Sequence, residues 1–180
     1  MVDSKAFVLL LRAQIALEDE DTGRARELWE AARAETARGT PPPQFLAMLN
    51  LLDALLSADE SGPGPALPKL AGTLCMAVET RCSDLVRATL VDSAAGLLAD
   101  LGDYPRAARL LAAGDRARGG HPRPMPERAQ PERAEAAARA ALGAERYAAE
   151  HARGTALTAD DVAHDLDDAS RDRLTGRTAP

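Results

Sequence analysis

Two stretches of this chain match each other. LGDYPRAARLL, Leu101–Leu111, falls on DEDTGRARELW, Asp19–Trp29. In that register Ala107 lands on Ala25, Leu110 on Leu28 and Leu111 on Trp29, while upstream Ala95 lands on Ala13, Leu97 on Ile15 and Leu98 on Ala16. Halving the separation predicts a middle copy between them. NLLDALLSADESGPGPALPKLAG supplies it, with Ala54 opposite Ala13 and Ala66 opposite Ala25, and one extra position brings Leu70 opposite Leu28. A helix–turn–helix unit recurring every ~40 residues is the sequence signature of an α-solenoid. Small residues where two helices meet let their axes approach. A single hairpin cannot bury its apolar face, so stacking must supply the partner.

Composition agrees with an all-helical chain. Hydrophobic residues make up 46% of the 180, much of it alanine, and the 3% of aromatics are Phe7, Trp29, Phe45, Tyr104 and Tyr147. Alanine is the strongest helix former, and few stretches alternate apolar and polar residues with β-branched enrichment as a strand would. The pattern predicts hairpins over residues 4–118: Ser4–Leu17 with Thr22–Arg38, Gln44–Ala58 with Ala66–Glu79, and Ser83–Leu101 with Tyr104–Arg118. Gly39 and the prolines of RGTPPPQ break the chain after the first pair. Ser83 is an N-cap candidate, and Pro105 suits a first turn. A Pro/Gly-rich linker or loop follows over 119–131, then a C-terminal helical cap over 132–168, and a disordered tail over 169–180. Within this part a helix near Pro126–Leu142 is ended by Gly143, a short one spans Ala144–Arg153, and Thr158 caps the last.

The net charge of −6 argues against a nucleic-acid surface, which needs a clustered cationic footprint. Two cysteines, Cys75 and Cys82, make no disulfide framework. A bend near Arg81 separates them, and they read as reduced thiols of a cytoplasmic protein. The apolar run AFVLLL after Lys5 is too short for a membrane span and lacks a signal-peptide cleavage pattern.

LGDYPRAARLL resembles the turn of a tetratricopeptide (TPR) unit, and Ala95, Ala107 and Gly114 match the three small positions of that motif. Arg12 departs from it, standing where such units usually carry leucine, and the first unit has Glu20-Asp21 in place of Gly-Asp. The C-terminal text RAALGAERYAAEHARGTALTADDVAHDL is similar to the segment that closes the helical-repeat region of large actinobacterial regulators. These are of the antibiotic-regulatory (SARP, AfsR-like) or large ATP-binding LuxR type. The matching residues are Ala140, Ala141, Leu142, Gly143, Tyr147, Gly154, Ala156 and Leu157, and the likeness covers roughly 83–168. The resemblance implies a TPR-like superhelix of three hairpins with capping helices. It also implies a non-catalytic interaction or sensor module that binds a protein segment or neighbouring domain to control activation. The chain has no G-x-x-x-x-G-K-[ST] loop to cradle phosphates and no helix-turn-helix after Leu166. A generic helical bundle remains the alternative fold. A small-molecule sensor and a free-standing scaffold remain alternative functions.

Reaction chemistry is sparse. Asp160, Asp161 and His164 share a helix face, but a closed metal site needs more convergent ligands. Ser57, Ser61, Ser83 and Ser93 lie in no nucleophile-elbow context, and His121 and His151 have no local partner. Arg116, Arg118, Arg123, Arg128 and Arg133 alternate with Glu127 and Glu132, which reads as a solvated salt-bridged surface. Trp29 aligns with Leu111 and reads as core, and Glu18–Asp21 as a solvated turn. By analogy with TPR geometry, Gln14 and Asp92 face a concave groove. The expectation is therefore no enzyme, no catalytic or metal residues, no cofactor and an unknown ligand site. A protein is the expected partner, neither nucleic acid nor membrane is, and homo-oligomerisation is left open.

Overall fold

The computed structural model describes residues 4–123 and 128–174, the last of these by its backbone alone. Among the described residues the chain is all-helical, with no strand. Six helices pair in order: α1 (Ser4–Glu18) with α2 (Thr22–Thr36), α3 (Pro43–Ser61) with α4 (Ala66–Glu79), and α5 (Asp84–Asp100) with α6 (Tyr104–Arg118). The second helix of each hairpin packs on the first of the next, α2 on α3 and α4 on α5. Then α7 (Ala129–Gly154) runs along α6 and α5, and α8 (Ala159–Leu174) returns to pack on α4.

Local sequence explains the helix ends. Asp21 and Asp103 cap α2 and α6, each accepting a hydrogen bond from the backbone N–H three positions on, of Arg24 and Arg106. Before each cap the chain turns through a left-handed residue, Glu20 with φ 61° and Gly102 with φ 79°. Asp21 N–H donates to the Ala16 carbonyl and Asp103 N–H to the Leu98 carbonyl, both at 2.9 Å. Arg81, φ 55°, makes the same turn between α4 and α5, where Cys82 N–H donates to the Ala77 carbonyl at 2.8 Å and Ser83 caps the next helix. Thr158 and Asp161 form a reciprocal capping box at the start of α8, with Thr158 N–H donating at 2.7 Å and Asp161 N–H at 3.2 Å. Gly143 interrupts α7 with φ 75°, so this helix is two rods joined at a kink.

Alanines fill the helix contacts. Ala13, Ala54 and Ala95 are fully buried in the first helices of the three hairpins, and Ala25, Ala66 and Ala107 in the second. Leu28, Leu70 and Leu110 are buried beside them. One cluster joins α1 and α2 to the near face of α3 through Leu49, Leu52 and Leu56. A larger one joins α3–α6 with α8, where Val162 and Leu166 insert. Removing a buried leucine side chain from such a cluster costs about 2–5 kcal/mol.

Two boundaries differ from the sequence expectation. The loop expected over 119–131 ends early, because α7 begins at Ala129 and buries Pro131; residues 124–127 lie outside the described ones. The tail expected to be disordered from Ala169 is helical to Leu174. Ala169 is buried, Asp172 pairs with Arg106 at 2.9 Å, and Arg173 donates to the Leu101 carbonyl at 2.7 Å. These long-range contacts hold a polar segment that composition alone reads as tail. Residues 175–180 lie outside the described ones.

Candidate interaction groove

An open apolar groove lies between α1 and α3. It is a groove of about 680 Å³ lined by Phe7, Val8, Leu11 and Gln14 from one side and by Pro42, Gln44, Phe45 and Met48 from the other. No titratable side chain lines it. Phe7, Val8 and Leu11 are 53%, 51% and 43% exposed, and Ile15, one turn beyond, is 58% exposed. Four large apolar side chains left in water along one helix are a contiguous patch of the kind that marks an interaction surface. The flanks are firmly set. The indole N–H of Trp29 donates to the Leu49 carbonyl at 2.8 Å, and the Arg26 and Arg33 guanidiniums lie over its ring at 5.0 and 4.9 Å. Trp29 is core, as its alignment with Leu111 suggests.

Gln14 does line this groove, but Asp92 does not. Its carboxylate is buried in α5, paired with Arg118 and with Arg123 at 3.0 Å. Arg123 also pairs with Asp115 at 2.6 Å, so it ties the chain after α6 back onto α5. Burial pushes the Asp92 carboxyl above its ordinary pKa, against the pull of Arg123 and Arg118. Gly114 leaves room for this carboxylate, since a Cβ there would strike it. The sequence pattern misses this network because its members lie 26 and 31 residues apart, in a helix, the end of the next helix and the following loop.

Two further ionic groups hold helices together. Arg26 of α2 reaches both Asp53 at 2.7 Å and Glu60 at 2.8 Å on α3, and Lys69 of α4 completes the set at 2.7 Å from Asp53. Burial raises the Asp53 pKa, but hydrogen bonds from Lys69 and Arg26 outweigh it and hold the carboxyl below its usual range. On the other side Arg109 pairs with the buried Glu150 at 2.8 Å, beside Asp165 at 3.8 Å. There α6 and α7 approach so closely that a Cβ on Gly154 would overlap the Arg109 carbonyl. The Arg139 guanidinium covers the Tyr147 ring at 4.1 Å, and burial pushes the phenol up to about 12.

The remaining candidates have structural partners. His164 Nδ1 lies 2.8 Å from the Asp160 carbonyl, and Asp161 caps α8. No group of three metal-ligating side chains converges among the described residues. Ser57 donates to the Asp53 carbonyl, Ser83 caps α5 and Ser93 is buried in α5. Arg116 donates to the Thr155 carbonyl at 2.9 Å and Arg128 pairs with Glu132 at 2.6 Å, so these arginines bind this chain rather than forming an anion site. His151 stands 4.0 Å from Asp115. Cys75 is exposed on α4, while Cys82 is buried beyond the Arg81 turn. No helix among the described residues is long and apolar enough to cross a membrane.

Comparison with protein-family models, with curated proteins and with solved structures returns no match.

Proposed function

We propose that this chain is a non-catalytic interaction module, a TPR-like stack of three hairpins that docks a helical or extended protein segment. The observation that carries this reading is the α1–α3 groove, apolar, open and free of titratable side chains. Such a surface suits burial of a partner's apolar side chains, and its lining holds the Ser4 hydroxyl with no acid or base beside it to activate it. The likeness of the C-terminal segment to the repeat regions of bacterial regulators supports a role in transcriptional control, with docking biasing activation. A small-molecule sensor is the second reading, favoured by the groove's volume of about 680 Å³.

The test is an allele carrying Phe7→Glu and Leu11→Glu in the source bacterium. Both side chains are about half exposed, so the fold survives. Its transcript profile should match that of a deletion of the gene. An unchanged profile, with the variant protein present at normal level, overturns the regulatory docking reading.

A further inference from the structure

The repeat register identifies what the exposed face of α1 is shaped to receive. One repeat after Val8, Leu11 and Ile15 stand Leu49, Leu52 and Leu56 on α3, and two repeats after them stand Leu90, Ser93 and Leu97 on α5. On α3 these equivalents are 4%, 1% and 0% exposed, and on α5 they are 1%, 8% and 2% exposed. On α3 these three leucines share one cluster with α1 and α2, and on α5 Leu90 and Leu97 share one with α4, while Leu52 and Ser93 also line a small cavity with Gln14 of α1 and Gln130 of α7. The exposed face of α1, whose Val8 and Leu11 also rim the groove toward α3, therefore carries the stacking register with no hairpin against it among the described residues.

Charge distinguishes the occupant. On α3 the stacking seam is sealed by Arg26 of α2, which pairs with Asp53. The residue of α1 at the Asp53 register is Arg12, exposed and in no ion pair among the described residues. At the Glu60 register the first unit keeps an acid, Asp19, so the reversal is confined to Arg12. We infer that the face of Val8, Leu11 and Ile15 docks a further two-helix hairpin whose facing helix carries a carboxylate opposite Arg12. This rests on the interaction reading above and names its partner by chemistry. A second copy of the chain is a poor fit. Its far end is closed, with α7 covering α6 and α8 covering α4. A face-to-face pair centred on Leu11 would bring two Arg12 guanidiniums together.

The test supplies the hairpin. A duplicate of residues 1–41 joined ahead of Met1 of the full chain reproduces the repeat register, so its second helix can reach α1 as α2 reaches α3. Amide hydrogen exchange in α1 should slow roughly tenfold or more relative to the unextended chain. Arg12→Asp, or Arg26→Glu in the added hairpin, should each slow it further by removing the like-charge pair. Together they should exchange faster than the sum of the single effects allows. Leu11→Glu in the extended chain should abolish the protection while leaving the α5–α6 amides unchanged. Unaltered exchange in α1, additive behaviour of the two charge changes, or a stable dimer of the native chain cross-linked through Leu11→Cys would each overturn the inference. None of these outcomes bears on the transcript profile, which tests the regulatory reading separately.

Discussion

Glu20 and Gly102, in the turns of the first and third hairpins, hold the same left-handed backbone position, with φ 61° and 79°, each one position before the aspartate that caps the next helix. Only at the later turn does the sequence supply the residue that this conformation favours. A side chain in the left-handed region costs about 1 kcal/mol, which glycine avoids. Glu20→Gly should therefore stabilise the protein by up to about 1 kcal/mol, seen as a raised midpoint of urea unfolding with unchanged slope. Arg81→Gly, at the third such turn (φ 55°), should behave alike.

Gly154 predicts the opposite response. Its Cα lies against the Arg109 carbonyl, so Gly154→Ala must push α7 away from α6 and disturb the Arg109–Glu150 pair. The expected loss is about 3 kcal/mol, at the upper end for overpacking, because the obstacle is backbone. Calorimetric melting would check it, and a midpoint within a degree of the native one would refute the close contact.

The Asp92 network should be costly to break from one side. Asp92→Ala leaves Arg118, itself buried, without its carboxylate, and should cost roughly 3–5 kcal/mol in chemical denaturation. Replacing Asp92 and Arg118 together by leucine and methionine should recover most of that loss, since a well-packed apolar pair can replace a buried ion pair.

Asp53 gives a pH dependence. Its folded pKa lies below the ordinary value of about 3.9, so its contribution to stability is present in full above that value. It is lost as pH falls through the lower, folded-state value. The stability gap between the native chain and Asp53→Asn should stay level from neutral pH to about pH 5 and close below about pH 4. A gap that persists to the acid limit would show that the ion pairs with Arg26 and Lys69 do not set it.

Register and exposure separate two leucines. Leu11→Ala should change stability by less than about 0.5 kcal/mol, as surface changes do, whereas Leu52→Ala should cost about 2–5 kcal/mol. The two occupy the same position in successive repeats, at 43% and 1% exposure. Equal effects would mean that α1 is covered in solution.

Features carried by neighbouring residues are legible in the sequence. Ser83 and Thr158 each mark a helix start through a side-chain hydroxyl that accepts from the first turn, Gly143 marks a kink through its positive φ, and the alanine register locates the buried contacts. Features that depend on distant groups are not. Asp92 looks like a groove residue until Arg118 and Arg123 fold over it. The helical end of α8 depends on Arg106 and the Leu101 carbonyl, which lie 66 and 72 residues from their partners Asp172 and Arg173. The groove itself is half legible. The TPR analogy places Gln14 on a groove, but the repeat aligns Ile15 with the buried Leu97, and register alone does not show that Ile15 is exposed.

The return of α8 onto α4 changes how this chain would bear load. A row of hairpins held only by nearest neighbours can be peeled from either end. Here the last helix reaches back past the third hairpin to the second, so α3–α6 and α8 share one apolar cluster while α1 and α2 belong to another. Pulled between its ends, the molecule would surrender the first hairpin before the rest. That hairpin would act as a mechanical fuse, giving way in one step while the clasped remainder stays whole.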